Sequence, residues 1–421
     1  MGIGTFVKSP VRNPAVADTL ARRNKPVGLD IPLVLAVIAL GIFGLLMLYS
    51  ASADFSLLVY DNPSYMFNKQ LLWMGIGIVV CVLISRLDYR MWRKLAVPVM
   101  GVTVVLLLGV LINNEVRFGA VRTFFGGSVQ PSELAKLVTI IYLSVWLFSK
   151  REHLHDIQLG LIPLAAILGF VGGLIYIQPD LSATVTIFLL GGLLFFLAGG
   201  DLRQMVLFMI VALAVGYLVV QFSTTGRTRL VSYLAGLRNP LDSDYQVRRS
   251  LEAIIRGGWF GVGIGRASTK LTGLPVPPTD SIFAVVVEEM GMVGALSLFT
   301  LYGIILWRGL KIATKAPDML GALLAGGASC WIIIEAGINM AVMVGLLPFA
   351  GNALPFISAG GSSLISTLAA IGIILSVSRA SGQKIVPVDT EWRSLNASID
   401  LRRRDRRRRV SRHRRPANPA E

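Results

Sequence analysis

The feature that most constrains this chain is a train of apolar stretches, each near the length of a bilayer-crossing helix and separated by polar connections. They run Ile31 to Tyr49, Leu71 to Ser85, Leu95 to Ile112, Ser132 to Phe148, Leu159 to Ile177, Leu181 to Ala198, Met205 to Phe222, Ser281 to Trp307, Met319 to Val344 and Ser362 to Val377. A hydrocarbon core takes roughly 20 helical residues to cross, and inside it every backbone amide must be bonded within its own segment. The expected fold is therefore an all-α integral membrane protein of about ten transmembrane helices. Composition agrees, with 54% hydrophobic and 15% charged residues in 421 and a mean hydropathy of +0.67. The expected layout is an N-terminal tail over 1–29, one membrane domain over 30–379 and a disordered basic tail over 380–421. The N-terminal basic residues precede no small-residue cleavage site, so the first helix is expected to serve as its own insertion signal.

Charge orients the bundle. The short connections on one side carry Arg86, Arg90, Arg93, Lys94, Lys150, Arg151, Arg203, Arg308, Lys311 and Lys315, and those opposite only Lys69, Arg117 and Arg122. The positive-inside rule then puts both tails in the cytoplasm and the long 223–280 segment, between helices 7 and 8, outside. That segment keeps Arg227, Arg229, Arg238, Arg248, Arg249, Arg256, Arg266 and Lys270 against the usual bias. Long translocated loops escape the rule, and so many cations suit either a phosphate-bearing lipid head group or ordinary anionic lipid. The arginine run of the C-terminal tail reads as an anchor on anionic lipids, and the net charge of +16 is topology signal rather than a sign of nucleic acid. Cys81 and Cys330 fall in apolar runs and read as small buried hydrophobes, and the three histidines form no metal-ligand spacing.

Ionisable groups at membrane depth cost several kcal/mol each and are functional candidates by default. Glu133 and Lys136 share a helix face, as an ion pair that packs helices and shapes a site wall. Asp180 stands at a helix junction, where it caps the next helix or faces a cavity. Glu335 and Asn339 share a face and read as links between helices. Asp280, after the stiff Leu274-Pro275-Val276-Pro277-Pro278 run, opens a helix and is equally an N-cap or a reactive carboxylate. Glu288 and Glu289 lie about 12 Å further along that helix, too far to act with it. The glycines of RGGWFGVGIG allow close backbone approach, and a re-entrant or interfacial turn accounts for them as well as a phosphate cradle does.

QPSELAKL (130–137), QPDLSAT (178–184), YQVRRSLEAIIRGGWFGVGIG, PTDSIFAVVVEEMG and LPFISAGGSSL (354–364), in that order, resemble the SEDS family of shape, elongation, division and sporulation proteins. The resemblance covers about Asp30 to Arg379 and is nearer the division and sporulation branches than the elongation branch. It implies a peptidoglycan glycosyltransferase of the bacterial cytoplasmic membrane, at the division septum. Such an enzyme polymerises lipid II at the outer face with a class B penicillin-binding protein and other division membrane proteins as partners. The family's essential aspartate falls on Asp280, and its fourth-helix glutamate and lysine on Glu133 and Lys136. Asp180, Ser362 and Ser363 lie in the remaining motifs and are expected to shape the site. The sequence departs from the family pattern at Thr123 after Arg122, Ser182, Pro278, Ser281 and Ala359.

The implied reaction needs a base and charge stabilisation for a leaving diphosphate. Asp280 is the expected base; Arg227, Arg229, Arg248, Arg249 and Lys270 are the expected diphosphate partners. A divalent cation, Mg or Mn, is the one cofactor this chemistry leaves room for. A lipid II flippase, an elongation-type polymerase and a non-catalytic scaffold are the competing readings.

Overall fold

A computed structural model describes residues 29–113 and 130–381. The N-terminal basic cluster, Arg117, Arg122 and the arginine-rich tail lie outside the described residues. The helices are α1 (Ile31–Tyr60), α2 (Tyr65–Arg86), α3 (Trp92–Asn113), α4 (Pro131–Ser149), α5 (Ile162–Ile177), α6 (Leu181–Leu197), α7 (Leu202–Phe222), α8 (Thr224–Arg238), α9 (Tyr245–Gly257), α10 (Ile282–Thr314), α11 (Met319–Met343) and α12 (Gly361–Ser381). Single helical turns lie at Tyr89–Met91, Arg151–His153 and Pro240–Asp242, and a π-turn at Ile157–Leu161 leads into α5. Every expected span is present. Among the described residues nine helical stretches are long and apolar enough to cross a membrane, and α6, with 17 residues, is the shorter tenth.

The spans differ in what they face. In α4, α10, α11 and α12 at least 67% of the apolar span is buried inside the protein, against 6% in α7. Four helices therefore form the core, and α7 meets its surroundings nearly all round. The end of the bundle that holds Asp30 and Ser381 is pinned by charges. Asp30 caps α1 through Leu33 N–H and takes a two-pronged ion pair from Arg308 of α10, at 2.9 and 2.6 Å. Asp201 and Asp318 cap α7 and α11 at the same end, each accepting from a backbone amide of the first turn.

At the opposite end the 223–280 segment is not an open loop. A run this polar suggests extended coil, but its apolar and small residues fall at helical spacing. In α9, Gln246, Val247, Ser250, Ala253 and Gly257 are buried in register, which turns Arg248, Arg249 and Arg256 outward. The turn that follows docks on a break in α10. Gly291 has φ +68 and ψ −163, so the helix's own bonding is interrupted there. The glycine turn supplies the missing partners: Val262 and Gly263 donate to the carbonyls of Glu288 and Glu289 at 2.9 and 3.0 Å. In return Met292 and Val293 donate to the carbonyls of Gly258 and Trp259 at 2.9 and 3.3 Å. Only glycine fits this contact, since a Cβ at Gly261 would stand 2.2 Å from the Glu289 carbonyl oxygen and one at Gly291 2.4 Å from Trp259 backbone. The turn is thus a backbone-to-backbone clasp on α10.

Candidate functional site

Helices α4, α6, α10 and α12 begin, and α11 ends, at the end that carries α8 and α9. Their termini bring polar groups into one seam inside an apolar bundle. Asp180, 2% exposed, caps α6 by accepting from Ala183 N–H at 3.2 Å, and its other oxygen accepts from Gln130 Nε2 and Ser132 Oγ, each at 3.0 Å. Capping is therefore one of Asp180's roles, and tying α6 to the start of α4 is another. Gln130 N–H in turn donates to Ser362 Oγ of α12 at 3.2 Å. Ser363, one residue further along α12, accepts at its carbonyl from Thr367 Oγ1 at 2.7 Å and is half-buried.

One turn along α4, Lys136 Nζ donates to Glu133 at 2.9 Å and to Glu335 of α11 at 2.6 Å. The expected Glu133–Lys136 pair is present, but it is two-thirds of a triad, and Glu335 is what crosses to α11. Trp331 Nε1 donates to the same Glu335 oxygen at 3.3 Å and its ring lies 5.9 Å from Lys136 Nζ. One turn further along α11, Asn339 Nδ2 donates to the backbone oxygens of Asp280 at 3.0 Å and Asn352 at 2.6 Å.

Asp280 lies at the mouth of α10, partly accessible, on a backbone fixed from several sides. Besides Asn339, Ser358 Oγ donates to Thr279 O at 2.7 Å and Ala359 N–H to Pro278 O at 2.8 Å. The N-cap position of α10 is Ser281, whose hydroxyl donates to Pro275 O and accepts from Gln246 Nε2 of α9, both at 2.8 Å. Asp280 thus stands one residue ahead of the N-cap position. The Cβ position of Gly351 lies 2.9 Å from Asp280 Oδ2, so the 345–360 segment forms the wall beside the carboxylate. Such a carboxylate can accept a proton from a hydroxyl delivered to the helix mouth.

The cations of the 223–280 segment are not one cluster. Lys270 lies on α1: Nζ donates to Ser50 O at 2.9 Å and to Glu289 at 3.3 Å, and Ser50 Oγ donates to both Glu289 oxygens at 2.6 and 2.7 Å. Lys270, expected to meet a diphosphate, has a side chain only 5% exposed and an ion pair with Glu289, two turns along α10. Arg249 is likewise committed to Glu252 and the Thr272 carbonyl. Glu288 accepts from Ser268 N–H at 3.0 Å and from Thr269 N–H at 3.3 Å, so both glutamates anchor the 268–270 turn. Arg248 stacks 5.5 Å over Tyr245, Arg229 4.8 Å over Phe349, and Arg227 is exposed on α8. Arg229 and Phe349 border a cavity of about 260 Å³ between α8, α9 and the 344–349 segment.

Among the described residues no group of three or more His, Cys, Asp or Glu is placed to hold a metal ion. The residues present do not build a metal cage, and an ion such as Mg would have to take most of its ligands from substrate phosphates and water. Gln246, Asn352, Ser358 and Ser50 escape a sequence reading, for each is an ordinary polar residue until the fold brings it a distant partner: the Ser281 hydroxyl, the Asn339 amide, the Thr279 carbonyl and the Glu289 carboxylate in turn. The helical spacing of Gln246 with Ser250 was the one available signal.

This arrangement defines a multi-pass helical membrane protein with a polar seam leading to a carboxylate at one end of the bundle. A family model described as cell cycle protein, covering FtsW, RodA and SpoVE, matches residues 31–383. Stage V sporulation protein E of Bacillus subtilis is 37% identical over 358 residues, 84% of this chain and 97% of that one. A probable peptidoglycan glycosyltransferase FtsW of Trichlorobacter lovleyi is 36% identical over 365 residues, 85% of this chain and 95% of that one. A chain from a structure on the coordination of polymerization and crosslinking by a peptidoglycan synthase complex superposes with TM-score 0.70 at 28% identity, covering 85% of this chain and 99% of that one. The rod shape determining protein RodA of Thermus thermophilus superposes with TM-score 0.61 at 26% identity, with the same coverage. The chain belongs to the FtsW/RodA/SpoVE family.

Proposed function

We propose that the chain is a peptidoglycan glycosyltransferase that polymerises lipid II at the outer face of the bacterial cytoplasmic membrane, in septal wall synthesis. Family membership and the FtsW and sporulation names of its relatives support the activity and the division branch. The basic connections at the end holding Asp30 and Ser381 support a cytoplasmic position for both tails. The single observation that carries the chemistry is Asp280, partly open at the mouth of α10 while Asn339 holds its backbone from inside the bundle.

In this reading the acceptor sugar's 4-hydroxyl oxygen attacks the donor's anomeric carbon from the face opposite the diphosphate. The new C–O bond forms as the bond to the diphosphate oxygen breaks, and the hydroxyl proton passes to the Asp280 carboxylate. Arg227, Arg229 and Arg248, on α8 and α9, are the cations proposed to meet the departing diphosphate. The Glu133–Lys136–Glu335 triad, Asp180 and Ser362 keep α4, α6, α11 and α12 in place around the seam. A class B penicillin-binding protein is the proposed partner, supported by the likeness to a chain of a peptidoglycan synthase complex. The test is glycan polymerisation by purified protein given lipid II and the matching penicillin-binding protein, wild type against Asp280→Asn. Polymer from the wild type alone supports the reading. Equal polymer from both removes Asp280 as the base, and lipid II translocation without polymer would favour a flippase.

A further inference from the structure

The glycine turn that clasps α10 carries two aromatic side chains that stand bare among the described residues. Trp259 is 71% and Phe260 85% exposed, with Ile255 and Ile264 exposed beside them. Adjacent bulky apolar residues left bare at a turn mark an interaction surface. We propose that this turn is a membrane-interface anchor, with the Trp259 and Phe260 rings seated among lipid head groups and upper acyl chains.

Depth argues for lipid. The clasp sets the level of the turn, because the Trp259 carbonyl accepts from Val293 N–H and the Gly258 carbonyl from Met292 N–H. Below this point α10 turns an apolar face outward through Met292, Val293, Leu296 and Phe299. Above it, Ile282 to Glu289 are buried in protein without a break. The outward face ends at Trp307, whose ring lies 5.4 Å from both Arg308 Cζ and Lys311 Nζ, the aromatic and basic pairing of an interfacial belt. From Met292 to Lys311 is about 28 Å at 1.5 Å per residue, close to the roughly 30 Å hydrocarbon core. With Trp307 and Lys311 at one interface, Trp259 and Phe260 fall at the other. They continue the lipid-facing surface of α10 rather than standing in water above it. Arg266, exposed in the same turn and bonded to Gly263 O through its amide at 3.1 Å, is placed to meet head-group phosphate.

The consequence is mechanical. The turn is bonded to the break in α10, and Arg256 at the end of α9 donates to Ser268 at 2.6 Å. Lipid seating of the tip therefore reinforces the clasp in holding α9 and the 268–270 turn at a fixed height relative to Asp280.

The experiment reads Trp259 emission in the full-length protein, reconstituted in phosphatidylcholine vesicles whose chains carry bromine at a shallow or a deep position. The chain has seven tryptophans, so the Trp259 signal is the difference between wild type and Trp259→Phe. The expected result is a large loss of that difference signal with shallow bromine and a smaller loss with deep bromine. An unquenched difference signal places the tip in water and overturns the proposal. Quenching that disappears once the penicillin-binding protein is co-reconstituted would make the patch a protein interface and overturn it equally. Trp259→Tyr, which keeps an interfacial aromatic, is expected to retain the polymerisation rate, and Trp259→Asp to lower it with Asp280 unchanged. Equal rates for both variants would refute the mechanical coupling.

Discussion

Replacing Lys136 with methionine tests whether the triad holds the core together. The side chains of Lys136, Glu133 and Glu335 are 3%, 10% and 4% exposed, and one ammonium serves two carboxylates on different helices. Lys136→Met keeps the volume but leaves Glu133 and Glu335 near each other without a counterion. Removing one partner of a buried ion pair costs about 3–5 kcal/mol, against about 0–1 for an exposed pair. Two stranded carboxylates put this variant at the upper end of the larger range. The triple variant Lys136→Met/Glu133→Gln/Glu335→Gln removes all three charges and leaves amides that can bond to each other and to Trp331 Nε1, so most of the loss should return. Unfolding of detergent-purified protein in a denaturant titration, followed by helical circular dichroism, measures both. A single variant within about 1 kcal/mol of wild type would refute the reasoning, as would a triple variant no more stable than the single.

Other perturbations probe the remaining contacts. Gly291→Ala must hold φ +68 and bring a Cβ to 2.4 Å from Trp259, so it should lower stability by about 1–3 kcal/mol and sharply reduce polymerisation; Gly303→Ala, with nothing within 4 Å, should do neither. Asp180→Ala removes the α6 cap and strands Gln130 and Ser132, an expected loss of about 1–3 kcal/mol in thermal unfolding, with Asp180→Asn intermediate. For Lys270 and Glu289 a double-mutant cycle with Lys270→Met and Glu289→Gln should show a coupling of about 0.5–3 kcal/mol. If Lys270 instead served a diphosphate, Lys270→Met would cost activity with no coupling to Glu289.

Periodicity and charge were enough for the gross architecture. Apolar stretches of bilayer length can satisfy their backbone only as helices, so ten spans were legible. The Glu133–Lys136 pair and the Asp180 cap were legible for a similar reason, since each is set by partners within one helical turn. What could not be read was every relation across helices. Glu335 completes the triad only because α11 packs on α4, and Lys270 is neutralised only because the 268–270 turn folds back along α10 to Glu289. The glycine run is compatible in sequence with a phosphate cradle or a plain turn. Its role as a clasp depends on the break at Gly291, and backbone amides that bond across some thirty residues carry no side-chain signature. Sequence alone thus determined the membrane class, the spans and the candidate carboxylate. The tertiary structure decided which charges are spent holding helices together, because neutralisation depends on distances in space that spacing along the chain does not encode.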